Sequence, residues 1–146
     1  FAIIGDTIFY WSHRLLHHPK LYPYIHKQHH EYGVTISIAA EYAHPIEFIV
    51  GNVLPVGIGA KILGSRVHFA TYIMWGIVSL GTSIDGHCGY DFSWSPYDLV
   101  PFAESSKFHN WHHYQNVGNY APFFLFWDTL CGTNKAYLKY SKKKNQ

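Results

Sequence analysis

The amino-acid sequence predicts an all-α, membrane-embedded protein: a transmembrane or re-entrant helical hairpin joined to a cytosolic helical domain that carries clustered histidines. Three observations predict this fold. Histidines recur at helical spacing in three clusters, and two apolar stretches, residues 46–64 and 67–84, separate the second cluster from the third. Tyrosines and tryptophans gather where apolar segments meet polar ones. Their rings favour membrane interfaces because each is apolar with one polar tip.

The size and charge of the chain limit the alternatives. It has 146 residues, a formal net charge of +2 and 12 histidines. This length fits one domain, residues 1–146, and the small charge argues against a nucleic acid partner. Because the sequence starts at Phe1 and at once enters an apolar stretch, we expect a segment of a longer membrane protein whose N-terminal helices are missing. The mean hydropathy of -0.09 leaves a soluble helical bundle open.

The first element is an apolar stretch, residues 1–11, interrupted only by Asp6 and followed by the first histidine cluster. His13 and His17 are four residues apart, so both rings lie on one face of a helix and can reach one metal ion. His18 points about 140° away from His13 on an ideal helix and precedes Pro19. We interpret His18 as a helix-end residue.

The second and third clusters repeat one H-x-x-H-H pattern, at His26, His29 and His30 and at His109, His112 and His113. In each, the adjacent pair of rings diverges, so one can face one metal ion and its neighbour another. Neutral imidazole is a common ligand of zinc, copper, iron and nickel. A tetrahedral structural zinc needs only about four ligands, so eight converging histidines indicate a dinuclear centre.

The two apolar stretches predict the hairpin. Residues 67–84 carry no formal charge and approach the ~20 residues that a spanning helix needs, so we expect them to be the stronger span. Residues 46–64 have Glu47 and Lys61 near their ends and Pro55 between, which predicts a kinked or re-entrant helix. Either arrangement returns the chain to the side it left, so the second and third clusters share a face.

Further residues are candidates for the same site. His87 follows the second apolar stretch, and we expect it to be a ligand. His44, before Pro45, could be a ligand, line the substrate entrance or cap the next helix, whereas His68 is interpreted as an interfacial polar residue. Ligand imidazoles usually donate their second N–H to a carboxylate or carbonyl. The candidates for that role, or for additional ligands, are Asp85, Asp91, Asn119 and Asp128, although each could equally be a cap or turn residue.

Several metal chemistries lack their motifs in this sequence. There is no H-E-x-x-H for zinc hydrolysis, and the four-Glu, two-His set of soluble di-iron bundles is missing. Cys88 and Cys131 form no C-x-x-C and are interpreted as small, partly buried side chains. A histidine-only centre beside lipid suits O₂ activation on iron. A membrane zinc-binding or transport protein is the alternative of another class.

The C-terminal lysines suggest where the protein lies. Lys139 and Lys142 to Lys144 form a basic end that indicates a cytoplasmic, lipid-adjacent face. If Gln146 is the native end, residues 143–146 also fit a dilysine signal for retrieval to the endoplasmic reticulum.

The order and spacing of the three clusters resemble the fatty acid hydroxylase and sterol desaturase superfamily of membrane di-iron enzymes, over about residues 5–135. Residues 24–32, 39–47, 87–91, 118–121 and 126–133 look most like its methylsterol monooxygenase branch. Two positions differ: Cys88 stands where that branch commonly has Ser, and Asn110 where it has Asp. Fatty acid 2-hydroxylases have a further histidine about where Asp91 stands, which argues against that branch.

The resemblance implies a catalytic domain whose ligands are His87 and the eight cluster histidines. It implies two Fe²⁺ ions, O₂, and electrons that come from NAD(P)H through a reductase and a b-type cytochrome. The substrate would be a lipid, most simply a sterol oxidised at a C–H bond, with a sterol desaturase or an acyl-lipid hydroxylase as alternatives. The expected location is the endoplasmic reticulum membrane, with a multi-pass topology and a cytosolic catalytic face.

Overall fold

The computed structural model describes residues 1–103 and 106–144. This part of the chain is helical and contains no strand beyond an isolated bridge between Ala103 and Phe124. The all-α prediction is therefore confirmed. Asn145 and Gln146, the end of the predicted retrieval signal, lie outside the described residues.

Seven α-helices and several tighter or wider turns follow one another along the described chain. The α-helices are α1 (Ala2–Leu16), α2 (Pro45–Glu47), α3 (Leu54–Leu63), α4 (Phe69–Gly86), α5 (Ser106–Gln115), α6 (Phe126–Cys131) and α7 (Lys135–Lys144). Short 3₁₀ helices cover His26–Glu31, Ser37–Glu41, Gly64–Arg66 and Pro96–Leu99, and a π-helical turn covers Phe48–Val53. The second histidine cluster thus lies on a 3₁₀ helix, and the third on α5.

One continuous helix of the described chain, Pro45–Arg66, is long and apolar enough to cross a bilayer. It has 22 residues and a mean hydropathy of 1.6, and only 17% of its most apolar window is buried inside the protein. The expectation that residues 67–84 form the stronger span is wrong. The polar side chains that α4 carries lower its hydropathy, and they include Thr71, Ser79, Thr82, Ser83 and Asp85.

A helix irregularity occurs where the sequence predicts a kink. The π-helical turn Phe48–Val53 comes just before Pro55, which lies in the first turn of α3. Proline lacks a backbone N–H and its ring crowds the carbonyl one turn earlier, so an ordinary α turn is disfavoured there. The wider turn removes that conflict and keeps the helix continuous.

Helix α1 packs closely against this apolar helix. A Cβ placed on Gly5 would lie 2.9 Å from the backbone carbonyl oxygen of Pro55 and 3.3 Å from the Trp75 ring. At its other end, α1 contributes Tyr10 to a small core with Tyr120 and Ala121. Gly5 therefore sets the separation of the two helices, and this separation places the C-terminal end of α1 beside the other histidine segments.

The close helix contact can be tested with two glycines. We expect Gly5→Ala to lower the free energy of unfolding by about 1–3 kcal/mol, because backbone atoms must shift. Gly57, on α3, has no atom within 4 Å of an added Cβ. Gly57→Ala should therefore stabilise by about 0.5–1 kcal/mol. Thermal unfolding of the full-length protein in detergent measures both, and equal effects of the two substitutions would contradict this packing.

Candidate metal centre

The nine histidines predicted as ligands converge into two clusters. Cluster A consists of His13, His17, His26, His30 and His112, and cluster B of His29, His87, His109 and His113. Within each cluster the potential ligand nitrogens all lie within 4.8 Å of one another. Eight of the nine residues are buried, and His17 is partly buried. Segments far apart in the sequence therefore present their imidazoles to shared points.

The adjacent histidines diverge, as the sequence predicts. His29 belongs to cluster B and His30 to cluster A, while His112 belongs to cluster A and His113 to cluster B. The clusters are in contact, since the His30 and His113 rings stack with centroids 4.5 Å apart. Each H-x-x-H-H segment thus contributes to both clusters and holds them side by side.

The local helix type explains the second segment. His26 and His29 are three residues apart on a 3₁₀ helix, in which such side chains nearly eclipse each other. Their rings accordingly stack at an interplanar angle of 27°, with centroids 5.5 Å apart. His26 enters cluster A and His29 enters cluster B. The tighter helix thus sets these two rings side by side, and each belongs to a different cluster.

Five ring nitrogens have partners that fix the tautomer. The Nδ1 of His13 lies 2.9 Å from the backbone carbonyl oxygen of Tyr120, and the Nδ1 of His29 lies 3.3 Å from that of Tyr42. The Nδ1 of His87 lies 2.7 Å from the carbonyl oxygen of Ser83, and the Nδ1 of His112 lies 2.6 Å from that of Gly118. The Nδ1 of His26 lies 2.6 Å from Glu47 Oε1. A carbonyl oxygen or an ionised carboxylate can only accept, so with Glu47 ionised Nδ1 of each of the five rings carries the proton and Nε2 of the neutral ring presents a lone pair.

These lone pairs point at one another. The Nε2 atoms of His13 and His26 are 3.1 Å apart, and those of His29 and His87 are 3.2 Å apart. In both pairs the two Nδ1 atoms hold the protons, so the neutral rings have none to share between the Nε2 atoms. Facing lone pairs at this distance repel each other unless a cation lies between them.

The spacing of the nitrogens fits a metal ion. With metal–nitrogen bonds of about 2.1 Å, neighbouring ligands lie about 3.0 Å apart at right angles and about 3.4 Å apart in a tetrahedron. In cluster A, the Nε2 atom of His26 lies 2.9 Å from the Nε2 atom of His17 and 3.0 Å from that of His30. In cluster B, the Nε2 atom of His87 lies 3.0 Å from the Nε2 atom of His109 and 3.1 Å from that of His113. These separations are short enough for the nitrogens of each cluster to share one metal ion.

The environment keeps the rings in the ligand form. Burial lowers the pKa of His17 and His29 to about 4 and that of His87 to about 3, because the charged imidazolium loses its hydration. Burial first, and then the charge that neighbouring histidines would carry, lowers the pKa of His109 well below its ordinary value. At neutral pH these side chains are uncharged and available to a metal.

Glu47 is the partner that the sequence analysis missed. It is buried, and its Oε1 accepts the His26 hydrogen bond described above. Carboxylates in this position orient a ligand imidazole and raise its basicity. The sequence contained a signal, because an acidic residue within an apolar stretch is costly and often functional. By sequence alone, Glu47 only interrupts the apolar stretch.

Asp128 and Asn119 support the site indirectly. The Asp128 carboxylate accepts hydrogen bonds from the backbone N–H groups of Tyr120 and Ala121, at 3.1 and 2.7 Å. It thereby fixes the Tyr120 carbonyl that binds His13. The Asn119 side chain donates to the carbonyl of Phe108 at 3.0 Å, and its φ of 55° suits an asparagine. Both predicted partners thus hold backbone next to ligands.

The remaining candidates lie elsewhere. Asp85 accepts a hydrogen bond from the Ser95 hydroxyl, and Asp91 pairs with Lys107.

His44 is the N-cap of α2: its Nδ1 accepts from the backbone N–H of Ile46, so the capping alternative is correct. His68 caps α4 in the same way. His18 is exposed after the end of α1, and Cys88 and Cys131 are free thiols.

A cavity of about 390 Å³ leads to cluster B. It lies between α1, the apolar helix Pro45–Arg66 and α4, and its lining includes His87 and His109. Most of the other lining residues are apolar, such as Phe9, Phe48 and Leu80. An apolar molecule can therefore reach the face of cluster B from the side of the apolar helix.

Comparisons with known proteins agree with this arrangement. A family model described as fatty acid hydroxylase matches residues 1–133. Methylsterol monooxygenase 1 of Gallus gallus is 39% identical over 99% of this chain and 48% of its own length, and that of Rattus norvegicus is 40% identical over 97% and 47%. Very-long-chain aldehyde decarbonylase GL1-8 of Oryza sativa subsp. indica is 37% identical over 95% and 52%. The chain spans about half the length of these curated relatives. No solved structure is significantly similar.

The assignment of His87 and His44 can be tested by counting metal ions. We expect His87→Ala to reduce the metal content of the full-length protein by about one ion per chain, because cluster B keeps only three rings. His44→Asn keeps an N-cap and should leave the metal content unchanged. Elemental analysis of the purified variants measures this. Full metal content in His87→Ala, or a loss in His44→Asn, would contradict the two assignments.

Glu47 offers a second test. We expect Glu47→Gln to weaken metal binding at cluster A by about 10–100-fold, because the amide orients His26 less well than the carboxylate. Glu31 is a matched control, since its carboxylate accepts from the Tyr42 hydroxyl at an exposed position. Competition with a chelator compares the two variants. Equal metal retention in both would show that the contact between Glu47 and His26 has no bearing on metal binding.

Proposed function

The chain belongs to the fatty acid hydroxylase family, and we propose that it is the catalytic domain of a membrane di-iron oxygenase that oxidises an unactivated C–H bond of a lipid, most simply a sterol. One observation carries the proposal: His87 and His109 of cluster B line the apolar cavity beside the membrane helix. A lipid that fills this cavity presents one carbon to the cluster. The methylsterol monooxygenases among the relatives favour a sterol in that position.

The nine histidines would hold two iron ions, one in each cluster. Iron bound there supplies the capacity to activate O₂ toward a C–H bond. The chain's own contribution is to hold the imidazoles neutral and correctly oriented, through the backbone carbonyls and Glu47. Cluster B offers four rings and cluster A five. The smaller shell faces the cavity, as expected where a catalytic site keeps a position open.

The cavity would orient the substrate and exclude water. Displacement of a reacting atom by about 1 Å can reduce the rate by roughly 10²-fold, so a shaped cavity matters as much as the metal ligands. Pro122 and Phe123 also line the cavity. Phe123 is held in place because its backbone N–H donates to Asp6 Oδ1 at 3.2 Å. The loop before α6 would thus form the wall behind the reacting carbon.

Electron supply and location complete the proposal. We propose that electrons come from NAD(P)H through a reductase and a b-type cytochrome, and that the protein is a multi-pass protein of the endoplasmic reticulum membrane with its clusters on the cytosolic side. The basic end of α7, with Lys142, Lys143 and Lys144, supports a cytosolic face next to anionic lipid.

An acyl aldehyde is the second candidate substrate. The rice relative named as a very-long-chain aldehyde decarbonylase favours it, at 37% identity over 95% of this chain. The zinc transport alternative has less support. A transporter places its ligands along a path through the membrane, whereas all nine histidines lie outside the helix Pro45–Arg66.

The oxygenase proposal is tested by blocking the cavity. Gly76 lines it and has open space around an added Cβ, whereas the next residue, Ile77, is 60% exposed. In iron-loaded full-length protein in nanodiscs, supplied with reductant, we expect O₂ uptake that depends on a methylsterol. Gly76→Phe should lower kcat/KM at least about tenfold with unchanged iron content, and Ile77→Phe should not.

Product analysis of the same reactions identifies the substrate. An oxidised methylsterol as product supports a sterol oxygenase, and turnover of a long-chain aldehyde alone supports the second candidate. A protein that holds a single zinc ion and consumes no O₂ with any of these lipids would contradict the oxygenase proposal.

A further inference from the structure

Asn52 is a polar side chain within the apolar helix Pro45–Arg66, and it lies where the lipid cavity meets the histidine clusters. It lines the cavity of about 390 Å³ that His87 also lines. It also lines a second pocket, of about 30 Å³, whose wall includes His26 and His29. Of the residues described, Asn52 is therefore one of a few that border both the lipid space and the metal centre.

The Asn52 carboxamide makes no hydrogen bond within the described part of the chain, although the side chain is half-buried. Where this helix lies in lipid, an amide without a partner is unfavourable. Leucine has nearly the same shape and would suit this apolar helix better. The polar group is explained if it binds a polar atom of a molecule that enters the cavity.

The π-helical turn Phe48–Val53 directs Asn52 toward the metal centre. In an α-helix, residues five apart diverge by about 140°, whereas the i→i+5 hydrogen bonds of a π turn bring them to one face. Glu47 and Asn52 are five apart and border the same small pocket as His26. The π turn thus places Glu47 and Asn52 on one face of the helix, where Glu47 hydrogen-bonds a ligand histidine and Asn52 lines the cavity.

We propose that Asn52 is a substrate-binding residue that hydrogen-bonds a hydroxyl or carbonyl oxygen next to the reacting carbon. The inference rests on the proposed function, because it assumes that the lipid carbon beside His87 is the one oxidised. An oxygen bound by Asn52 must lie close to that carbon, since both residues border the same two pockets. The substrate class is therefore an amphipathic lipid, such as a hydroxysterol, with its oxygenated end at the metal centre and its apolar body along α4.

Ser83 adds a hydroxyl to the same place. It lies on α4 and, like Asn52, lines both pockets. Its backbone carbonyl accepts the Nδ1 proton of His87, so its position relative to cluster B is fixed. An oxygen atom between Asn52 and Ser83 could accept from one side chain and donate to the other, which suits a hydroxyl group.

The test measures binding of two ligands that differ in one oxygen atom. Full-length protein in nanodiscs, without O₂ or reductant, is titrated with a 4-methyl-3-hydroxysterol and with its 3-deoxy analogue. We expect the wild type to bind the hydroxysterol roughly tenfold more tightly. Asn52→Leu should bind both equally, with the Kd of the deoxy analogue unchanged. Ile49→Leu, an exposed position in the same π turn, should keep the wild-type ratio.

Thermal stability separates ligand binding from a structural role. Without ligand, Asn52→Leu should unfold at the same or a higher temperature than the wild type, because an unpartnered amide is removed from the helix. A lower unfolding temperature combined with weaker binding of both sterols would mean that Asn52 only supports the fold, and would overturn the proposal. The proposal would also be overturned if the wild type bound the two sterols equally tightly, or if Asn52→Leu still bound the hydroxysterol more tightly.

The result is independent of catalysis. If Asn52→Leu no longer binds the hydroxysterol more tightly than its deoxy analogue, the binding role of Asn52 is supported. This holds even if the iron-loaded protein consumes no O₂, a result that would contradict only the oxygenase proposal. The converse result is a wild type that consumes O₂ in the presence of sterol and yet binds the hydroxysterol and its deoxy analogue equally tightly. That result would overturn the role of Asn52 and leave the oxygenase proposal standing.

Discussion

The structure depends on imidazole lone pairs that face one another across very short distances. Backbone carbonyls at Tyr42, Ser83, Gly118 and Tyr120 hold Nδ1 protons on the outside of the clusters, so the Nε2 atoms turn inward without protons to share. Burial removes the alternative of protonating the rings, because it holds their pKa values below the ordinary value. A cation at each cluster satisfies these constraints, and the folded chain is organised to receive it.

The rest of the fold serves this arrangement in stages. Gly5 lets α1 approach the apolar helix, and that approach brings His13 and His17 to the other histidine segments. Asp128 fixes the loop that supplies the Tyr120 carbonyl, which in turn orients His13. The apolar helix has two roles, since one side forms the cavity wall and its first turn provides Glu47. A change far from any metal ligand can therefore alter the geometry of the clusters.

Sequence reasoning identified eight of the converging histidines from H-x-x-x-H and H-x-x-H-H spacings, which depend only on the local helix, and His87 from its place after the second apolar stretch. It did not assign each ring to a cluster, because His26 and His29 separate only once the 3₁₀ helix is seen beside α1 and α5. Glu47 and Asn52 were missed for one reason. Both are polar residues in an apolar stretch, and only the folded chain shows that they lie next to the histidine clusters. The ranking of the two apolar stretches was wrong because the polar residues of α4, which include Asp85 at its end, lower its hydropathy.

The central claim is that two neighbouring clusters of neutral imidazoles bind two iron ions beside a lipid cavity. X-ray absorption spectroscopy of the iron-loaded full-length protein tests this most directly, because it reports both the ligand atoms and a nearby second metal. The account predicts a first shell dominated by nitrogen with imidazole scattering, together with an iron–iron contribution. A shell of four nitrogen or sulfur ligands around an isolated metal ion would contradict it.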